Sequence, residues 1–279
     1  MVLDGISHGF WVGYFHSHRL KYGALRNKPS AYLHSSIVDS YSANKVSLGR
    51  VAGPFDHCPL PGLHISSFGV IPKKGQPRKW HLIVDLSSPC ALVSMMAFPP
   101  RSLPGSEIHV DHIIHMVTCL VRGALTAKFD MEATYQNIPD HPSSRVLLGM
   151  KSKGKHYVDL ILPFGLRSVP YLFSALADIV ELILKNSHQV PDLLHYLDDF
   201  ITVWPQGPPP QCSHYLMTAK EVCSRFGLPL HPLKRVGPSP NMVVLGIELD
   251  SNEQVARLHA EKLEATCVQV DLADRKSVV

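Results

Sequence analysis

Two adjacent aspartates interrupt an apolar ribbon in the second half of the chain, and this pair constrains the fold more than any other feature. Asp198 and Asp199 separate two short segments, residues 193–197 and 200–204, whose apolar composition favours strands. Adjacent carboxylates at a tight turn repel one another unless a cation neutralises them. The pattern predicts a hairpin with both carboxylates at its turn, which is either a cation site or the cap of an ordinary exposed hairpin.

A third carboxylate, Asp130, ends a predicted strand over residues 124–130, in which Leu125, Ala127 and Phe129 face one way. Carboxylate oxygens are the ligands that hard divalent ions prefer, and Mg²⁺ is the usual choice. Two such ions, about 3.5–4 Å apart, can clamp the attacking and leaving oxygens of an in-line phosphoryl transfer. We expect the three carboxylates to converge across adjacent strands.

The remaining elements mix strands and helices without strict alternation, which favours an α+β fold over a doubly wound sheet. Residues 67–71 and 80–84 predict a hairpin around a basic turn, while residues 1–60 are weakly patterned. Apolar spacing predicts helices over residues 110–121, 170–185 and 212–223, and further strands over 157–162 and 242–249.

Composition limits the partners and the compartment. The 279 residues carry a formal net charge of +4, a mild excess that permits a nucleic-acid partner without demanding one. No apolar run approaches the roughly 18 residues that cross a bilayer, and the N-terminus lacks a signal-peptide pattern. We therefore expect an intracellular protein, cytoplasmic or nuclear, with no membrane partner.

Five segments, in order along the chain, resemble motifs of reverse transcriptases. Tyr196-Leu-Asp-Asp199 resembles their signature turn, and the four other segments are residues 80–86, 129–135, 162–170 and 244–247. The resemblance is greatest to retrotransposon enzymes of the DIRS type and runs from about residue 49 to about residue 277. It implies an RNA-directed DNA polymerase of a retroelement.

The family's fold implies the domain organisation. It is an α+β right-hand polymerase fold, with an antiparallel palm sheet backed by helices. The resemblance places a reverse transcriptase domain at residues 36–250, with fingers at about 36–100 and 137–162 and palm at about 101–136 and 163–250. Residues 1–35 would be a poorly patterned N-terminal segment and 251–279 the truncated start of the thumb connection, with thumb and RNase H missing.

The resemblance also implies a role for each matching residue. Asp130 and Asp198 would bind two Mg²⁺ ions, for which Mn²⁺ could substitute, with Asp199 adjacent and the Met131 carbonyl completing a site. Lys234 would protonate the departing pyrophosphate. The implied partners are a deoxynucleoside triphosphate and an RNA or DNA template with its primer, and the oligomeric state is not indicated.

The nucleotide-binding residues come from other segments. Tyr135 matches the steric gate, an aromatic ring that presses on a ribose 2′-OH and favours deoxynucleotides. Lys74 and His81 would touch the triphosphate, while Phe164 and Gly165 would border the nucleotide. The plainer alternatives are that Tyr135 is a core residue and that Lys74 lies at a solvated hairpin tip.

Two other readings compete with the polymerase, and departures from the family pattern favour the first of them. His81 replaces an arginine whose guanidinium forks onto phosphate, and Gln136 and Tyr171 stand where relatives tend to carry basic residues. The chain could therefore be a degenerate, non-catalytic fragment with at most weak nucleic-acid binding. Because the thumb supplies much of the backbone contact that holds a primer-template, we also expect little processive synthesis from this chain. A palm-type nucleotidyl cyclase or two-metal nuclease shares the carboxylates, but it has no place for residues 80–86 or 162–165.

Residues 93–98 read Val-Ser-Met-Met-Ala-Phe where relatives typically carry Ser-Val-Asn-Asp-Gly-Ile. The codons of this segment, read from one nucleotide earlier, can spell the family motif. We therefore expect a reading-frame slip here, with a compensating slip before residue 108; an ordinary divergent loop is the alternative.

Overall fold

The computed structural model describes residues 2–13, 26–73, 78–86, 110–119, 122–166, 168–205, 210–259 and 263–264. The chain divides into two compact units. The first unit comprises residues 1–102 and 133–176, and the second unit comprises residues 103–132 and 177–279. Both are discontinuous in sequence, as expected for fingers and palm, although those names and bounds stay predictions. None of the described helices is long and apolar enough to cross a membrane.

Helices and strands are numbered in chain order. The α-helices of the described residues are α1 (Val2–His8), α2 (Pro29–Leu33), α3 (Ser35–Ser47), α4 (Val110–Cys119), α5 (Val169–Asn186) and α6 (Pro210–Arg225). The strands are β1 (Val51–Phe55), β2 (Ile65–Pro72), β3 (Trp80–Asp85), β4 (Leu125–Asp130), β5 (Gly149–Ser152), β6 (Lys155–Asp159), β7 (Leu193–Tyr196), β8 (Asp199–Trp204), β9 (Val236–Ser239), β10 (Asn241–Val244), β11 (Ile247–Asp250) and β12 (Val255–Leu258). Two 3₁₀ turns cover Thr134–Asn137 and Pro142–Leu147.

The first unit is built on a five-stranded sheet in the order β1-β6-β5-β2-β3. All neighbours are antiparallel except β2 and β5, and the β2–β3 pair confirms the predicted hairpin. Helices α2 and α3 contribute Ala31 and Val38 to a core that includes Phe68, Val70 and Met150. Burial of these side chains is the main stabilising contribution of the unit.

Residues 1–60 are more regular than their weak pattern predicts, because they contain α1, α2, α3 and β1. Helix α3 explains why the pattern misleads. Its buried residues are Val38 and Lys45, which are seven positions apart and so share one face. A buried lysine where the helical period calls for an apolar residue removes the signal on which the prediction depends.

The second unit has a four-stranded antiparallel sheet in the order β7-β8-β4-β9. Because successive side chains of a strand alternate, this sheet has two distinct faces. On one face Phe129 stacks on Phe200 with ring centroids 5.0 Å apart. Helices α5 and α6 cover that face, through Asp178 bonded to His195 and through Leu216 packed on the core. The predicted antiparallel sheet backed by helices is confirmed.

The opposite face packs on a different set of apolar residues. Ile201 and Val203 of β8 join Ile113 of α4 and residues from the sheet β10-β11-β12 in one core. The predicted single strand over residues 242–249 is wrong, because Leu245 and Gly246 form the turn of a hairpin between β10 and β11. Both have positive φ, 50° and 82°, which is the pattern of a type I′ turn. The predicted strand over 157–162 is also displaced and forms as β6.

Candidate active site

The acidic hairpin, residues 193–204, forms with a two-residue turn. Tyr196 pairs with Asp199, so Leu197 and Asp198 are the turn residues. Leu197 has a φ of 53°, a left-handed conformation that is rare for a branched side chain. Such strain persists only where the surrounding structure imposes it, and it occurs preferentially at functional sites.

Asp130 lies directly across from Asp199 in the register between β4 and β8. The amide of Met131 donates to the carbonyl of Asp198 at 3.2 Å, so the chain beyond β4 is also fixed to the hairpin turn. The structure thus brings Asp130, Asp198 and Asp199 together at one end of the sheet, as the sequence predicts. Their roles as metal ligands stay predictions.

Strand alternation determines which face carries the acids. Directly opposed residues of antiparallel strands project to the same side, so Asp130 and Asp199 share a face. Phe129 and Phe200, one residue away on each strand, project to the other face and are fully buried. The stacked rings therefore fix the backbone beneath the acid pair, while Asp130 itself is only 7% exposed.

The carboxylates are electrostatically coupled. Burial, reinforced by the charges of Asp130 and Asp198, raises the pKa of Asp199, while Lys128 and Lys234 oppose the shift. The Nζ of Lys234 donates to Asp130 Oδ2 at 2.6 Å, and this bond raises the pKa of the lysine. Lys128 lies on the same face, and its Nζ donates to the carbonyl of Val243 at 2.7 Å. Two lysines thus balance part of the negative charge.

The donor set fits a divalent cation in its chemistry. Burial and the neighbouring carboxylates raise the pKa of Asp199, so a hard cation, which prefers oxygen ligands, would stabilise the charged form of the three carboxylates. Within the described part of the chain, however, no three His, Cys, Asp or Glu side chains are arranged as a metal site. Asp130 is instead engaged by Lys234, the residue predicted to act as general acid.

The predicted nucleotide contacts that the structure describes belong to the first unit. Tyr135 lies in the first 3₁₀ turn, and its ring centroid is 5.1 Å from that of Phe164 and 5.5 Å from that of Phe173. Phe164 is 53% exposed. His81 lies on β3 with an exposed side chain, opposite Ile71. Lys74 and residues 90–107, including the predicted frame slip, lie outside the described residues.

Gly165 is explained by its backbone conformation rather than by crowding. Its φ is 97°, a region that side-chain-bearing residues rarely adopt. Among the described residues, a Cβ at this position would meet Leu86 Cδ1 at 3.8 Å and Val84 O at 4.0 Å. Glycine is therefore favoured at position 165 by φ, while the role of Gly165 beside a nucleotide stays a prediction.

Sequence reasoning missed a polar cluster in the first unit, called the buried polar cluster below, in which Lys45 and Asp159 are buried and Tyr41, Arg50 and Gln136 are half-buried. Burial raises the pKa of Asp159 to about 7 and that of Tyr41 to about 12, and it lowers the pKa of Lys45 to about 8. Lys45, Gln136 and Asp159 line a cavity of about 400 Å³ that also reaches Phe164 and Gly165. No local motif marks these positions, because they come from distant parts of the chain.

Solved structures of foamy viral protease-reverse transcriptase resemble this chain. The complex with dsDNA matches with a TM-score of 0.63 and 17% identity, over 93% of this chain and 51% of that one. The complex with RNA/DNA hybrid matches with a TM-score of 0.64 and 16% identity, over 89% of this chain and 30% of that one. At these identities the likeness shows the fold: this chain has an α+β, reverse transcriptase-like fold.

Sequence comparison gives a further relative. Polyprotein P3 of Commelina yellow mottle virus is 28% identical over 148 residues, which are 53% of this chain and 7% of the polyprotein. No protein-family model matches the chain. The chain therefore spans a small part of the polyprotein and about half or less of the matched viral structures.

Proposed function

We propose that this chain is the RNA-directed DNA polymerase core of a retroelement. The reaction would be attack of a primer 3′-OH on the α-phosphate of a deoxynucleoside triphosphate, with pyrophosphate as leaving group. The observation that carries the proposal is the opposed pair Asp130 and Asp199, with Asp198 in a strained turn beside them and Lys234 bonded to Asp130. This arrangement stands at the end of a sheet in a reverse transcriptase-like fold.

Asp130, Asp198 and Asp199 would hold Mg²⁺, or Mn²⁺ in its place. When bound, such an ion supplies stabilisation of the charge that develops on the phosphoryl oxygens. The contribution of the chain would be to hold the acid-bearing strands in place, since Phe129 and Phe200 are buried directly behind them.

Lys234 would be the proton donor. The carboxylate of Asp130 keeps its ammonium charged, as the raised pKa indicates. Its side chain is 55% exposed, so it has room to leave Asp130 and reach a departing group. An ammonium with this mobility can deliver a proton to pyrophosphate and can also bind it as a point charge.

The nucleotide would meet residues of the first unit. Phe164 offers an exposed aromatic face on which a base can stack, and Tyr135 beside it would select against a 2′-OH. His81 can make fewer contacts to a triphosphate than an arginine would. We expect His81→Arg to lower the nucleotide KM, while a loss of affinity on this change would argue against a phosphate contact at position 81.

Nucleic acid is the proposed partner. The two foamy viral structures described above are complexes with dsDNA and with an RNA/DNA hybrid. By analogy, this chain would bind a primer-template, and its grip on the phosphate backbone would weaken steeply with salt. The DIRS-type origin is a finer part of the proposal and rests on the sequence resemblance alone.

A non-catalytic fragment is the second candidate. The observation that favours it is the carboxamide of Gln136, which accepts hydrogen bonds from Lys45 and Arg50 within the first unit instead of presenting a cation to phosphate. Such a fragment would keep the fold and bind nucleic acid weakly.

Single-nucleotide incorporation tests the proposal without requiring processivity. The purified chain is incubated with a short RNA or DNA template, an annealed primer and one deoxynucleotide, in Mg²⁺ or Mn²⁺. The polymerase reading predicts a primer longer by one nucleotide. An unextended primer with intact fold and measurable binding would favour the fragment, whereas cyclic nucleotide as product would favour a cyclase.

A further inference from the structure

Lys45 is a buried cation that the proposed chemistry does not use. It is 6% exposed, although helix α3 is otherwise largely at the surface. Its ammonium lies 5.3 Å from the centroid of the Tyr41 ring and donates to Oε1 of Gln136. A lysine is seldom buried unless its charge has a defined partner. Here that partner is the amide of a residue 91 positions further along the chain.

Arg50 reinforces the same contact. Its Nη1 donates to Gln136 Oε1 at 3.3 Å and its Nη2 donates to Asn137 Oδ1 at 3.0 Å. Lys45 and Arg50 therefore hold two consecutive residues of the Thr134–Asn137 turn. We call these four side chains, Lys45, Arg50, Gln136 and Asn137, the clamp.

The clamped turn is strained at its entry. Ala133 and Thr134 have φ values of 57° and 31°, so two successive residues with side chains adopt positive φ. Within the turn, Gln136 N donates to Ala133 O at 2.8 Å and Ile138 N donates to Tyr135 O at 3.1 Å. A strained segment of this kind keeps its conformation only when surrounding contacts determine it, and the clamp supplies such contacts.

Tyr135 is the residue that this turn presents. Its neighbour Gln136 accepts hydrogen bonds from Lys45 and Arg50, and the ring of Tyr135 packs against Phe164 and Phe173. The clamp also borders the cavity of about 400 Å³ that extends to Phe164 and Gly165. A shift of the turn would therefore move the Tyr135 ring relative to the exposed face of Phe164.

We propose that Lys45 and Arg50 are positioning residues that fix the Thr134–Asn137 turn and thereby set how strictly Tyr135 excludes a ribose 2′-OH. This inference rests on the proposed function, because it assigns the sugar selectivity of the proposed reaction to a clamp within the first unit. Neither cation needs to touch the nucleotide.

Asp159 offsets part of the cost of burying Lys45. It is buried at the end of β6, and the charge of Lys45 is the largest influence opposing the rise of its pKa. A carboxyl and an ammonium buried near each other offset part of their desolvation, so the first unit can keep a cation beneath the turn.

The test combines two measurements on the full chain. The first is hydrogen exchange of the amides of residues 134–138, which requires no activity. The second is the ratio of kcat/KM for one deoxynucleotide to that for its ribonucleotide in single-nucleotide incorporation. Lys45→Met should increase exchange in the turn and lower the ratio on the order of fivefold, mainly by improving ribonucleotide use.

A double-mutant cycle separates the clamp from general destabilisation. Gln136→Leu removes the shared acceptor, so the double variant Lys45→Met/Gln136→Leu should be no less selective than either single variant. Lys153→Met is the matched control. Lys153 is exposed, and its Nζ lies 2.5 Å from Oδ2 of Asp39, which belongs to α3, the helix that carries Lys45. The control should change neither the exchange nor the ratio.

Each outcome decides the proposal. Unchanged exchange at residues 134–138 in Lys45→Met overturns the clamp, whether or not the chain is active. Increased exchange with an unchanged ratio, while Tyr135→Ala alters the ratio, overturns the assignment of selectivity but leaves the proposed function standing. If the wild-type chain incorporates no nucleotide, the proposed function and the selectivity assignment fail together, and the exchange measurement still decides whether the clamp exists.

Discussion

Two regions of the molecule bury charge in opposite ways. One is the acidic end of the four-stranded sheet, and the other is the buried polar cluster of the first unit. In the second unit, carboxylates of like charge stand together, and Lys234 balances them from a largely exposed position. In the first unit, Lys45 and Asp159 are buried close together, and the charge of each opposes the effect of burial on the pKa of the other. The acidic end leaves negative charge available to bind a ligand, while the buried polar cluster uses its charges to hold the Thr134–Asn137 turn.

This contrast teaches how a functional site can be distinguished from its support. Like charges that are forced together cost free energy unless something binds them, so they point to a ligand. Opposite charges buried together need no ligand, and their effect is conformational. In this chain the two kinds of cluster lie in different units, so they can be altered separately.

The largest expected effect concerns the apolar support of the acidic end. Phe129→Ala should lower the free energy of unfolding by about 3–5 kcal/mol, because the ring is fully buried and stacks on Phe200. Urea unfolding followed by circular dichroism measures the loss. Phe226→Ala, at a position that is 42% exposed, is the control and should cost far less. Equal losses would show that the rings do not support the acid-bearing strands.

The second prediction concerns pH and the buried carboxyl. The pKa of Asp159 in the folded protein is about 7, above its ordinary value of 3.8, so the folded chain holds a proton that the unfolded chain releases. Its contribution to stability is complete below about pH 4 and is lost as pH rises through 7. Asp159→Asn should therefore flatten the fall in stability over this range.

Two carboxyls allow that prediction to be checked. Asp140, whose pKa burial raises to about 6, should preserve part of the slope in Asp159→Asn. Asp56→Asn removes a surface carboxyl that pairs with Lys155 and serves as the control. Thermal unfolding between pH 4 and 8 measures all three proteins, and an unaltered slope in Asp159→Asn would contradict the assigned cause.

The two regions also differ in how far the sequence predicts them. The acidic hairpin occupies twelve consecutive residues, its apolar strands pair locally, and strand alternation sets the face of each carboxylate, so local rules suffice. Asp130 could be predicted as part of the same site because it also ends an apolar strand. The buried polar cluster joins α3, the first 3₁₀ turn and β6, and only the fold brings these together. Its lysine even obscures the helical pattern of α3.

The third prediction concerns the ammonium of Lys234, which forms an ion pair with Asp130. Lys234→Met should tighten Mn²⁺ binding by up to about fivefold, since an exposed ion pair contributes up to about 1 kcal/mol and would no longer compete with the ion. Isothermal titration measures the affinity without requiring catalysis. Lys220→Met, which alters an exposed lysine of α6, is the control. An unchanged or weaker Mn²⁺ affinity in Lys234→Met would mean that the lysine does not compete for this site.

The smallest expected effect concerns the strained turn. Leu197 has a φ of 53°, and glycine adopts this conformation without steric cost, so Leu197→Gly should stabilise the fold by up to about 1 kcal/mol. Gln254→Gly, at an exposed position with a φ of 56°, should give a similar gain. If strain at the acidic turn serves catalysis, only the change at position 197 should lower activity. If both variants lost activity, the loss could not be assigned to strain at the acidic turn.

The central claim is that the opposed carboxylates perform nucleotidyl transfer. The most direct measurement is the rate of single-nucleotide primer extension by the wild-type chain, by Asp130→Asn and by Asp192→Asn, a change at an exposed aspartate just before the acidic hairpin. The account predicts extension by the wild type and by Asp192→Asn, and a rate lower by at least about a thousandfold in Asp130→Asn, which loses a carboxylate ligand of the same shape. Comparable extension by Asp130→Asn, with its fold intact, would contradict the account.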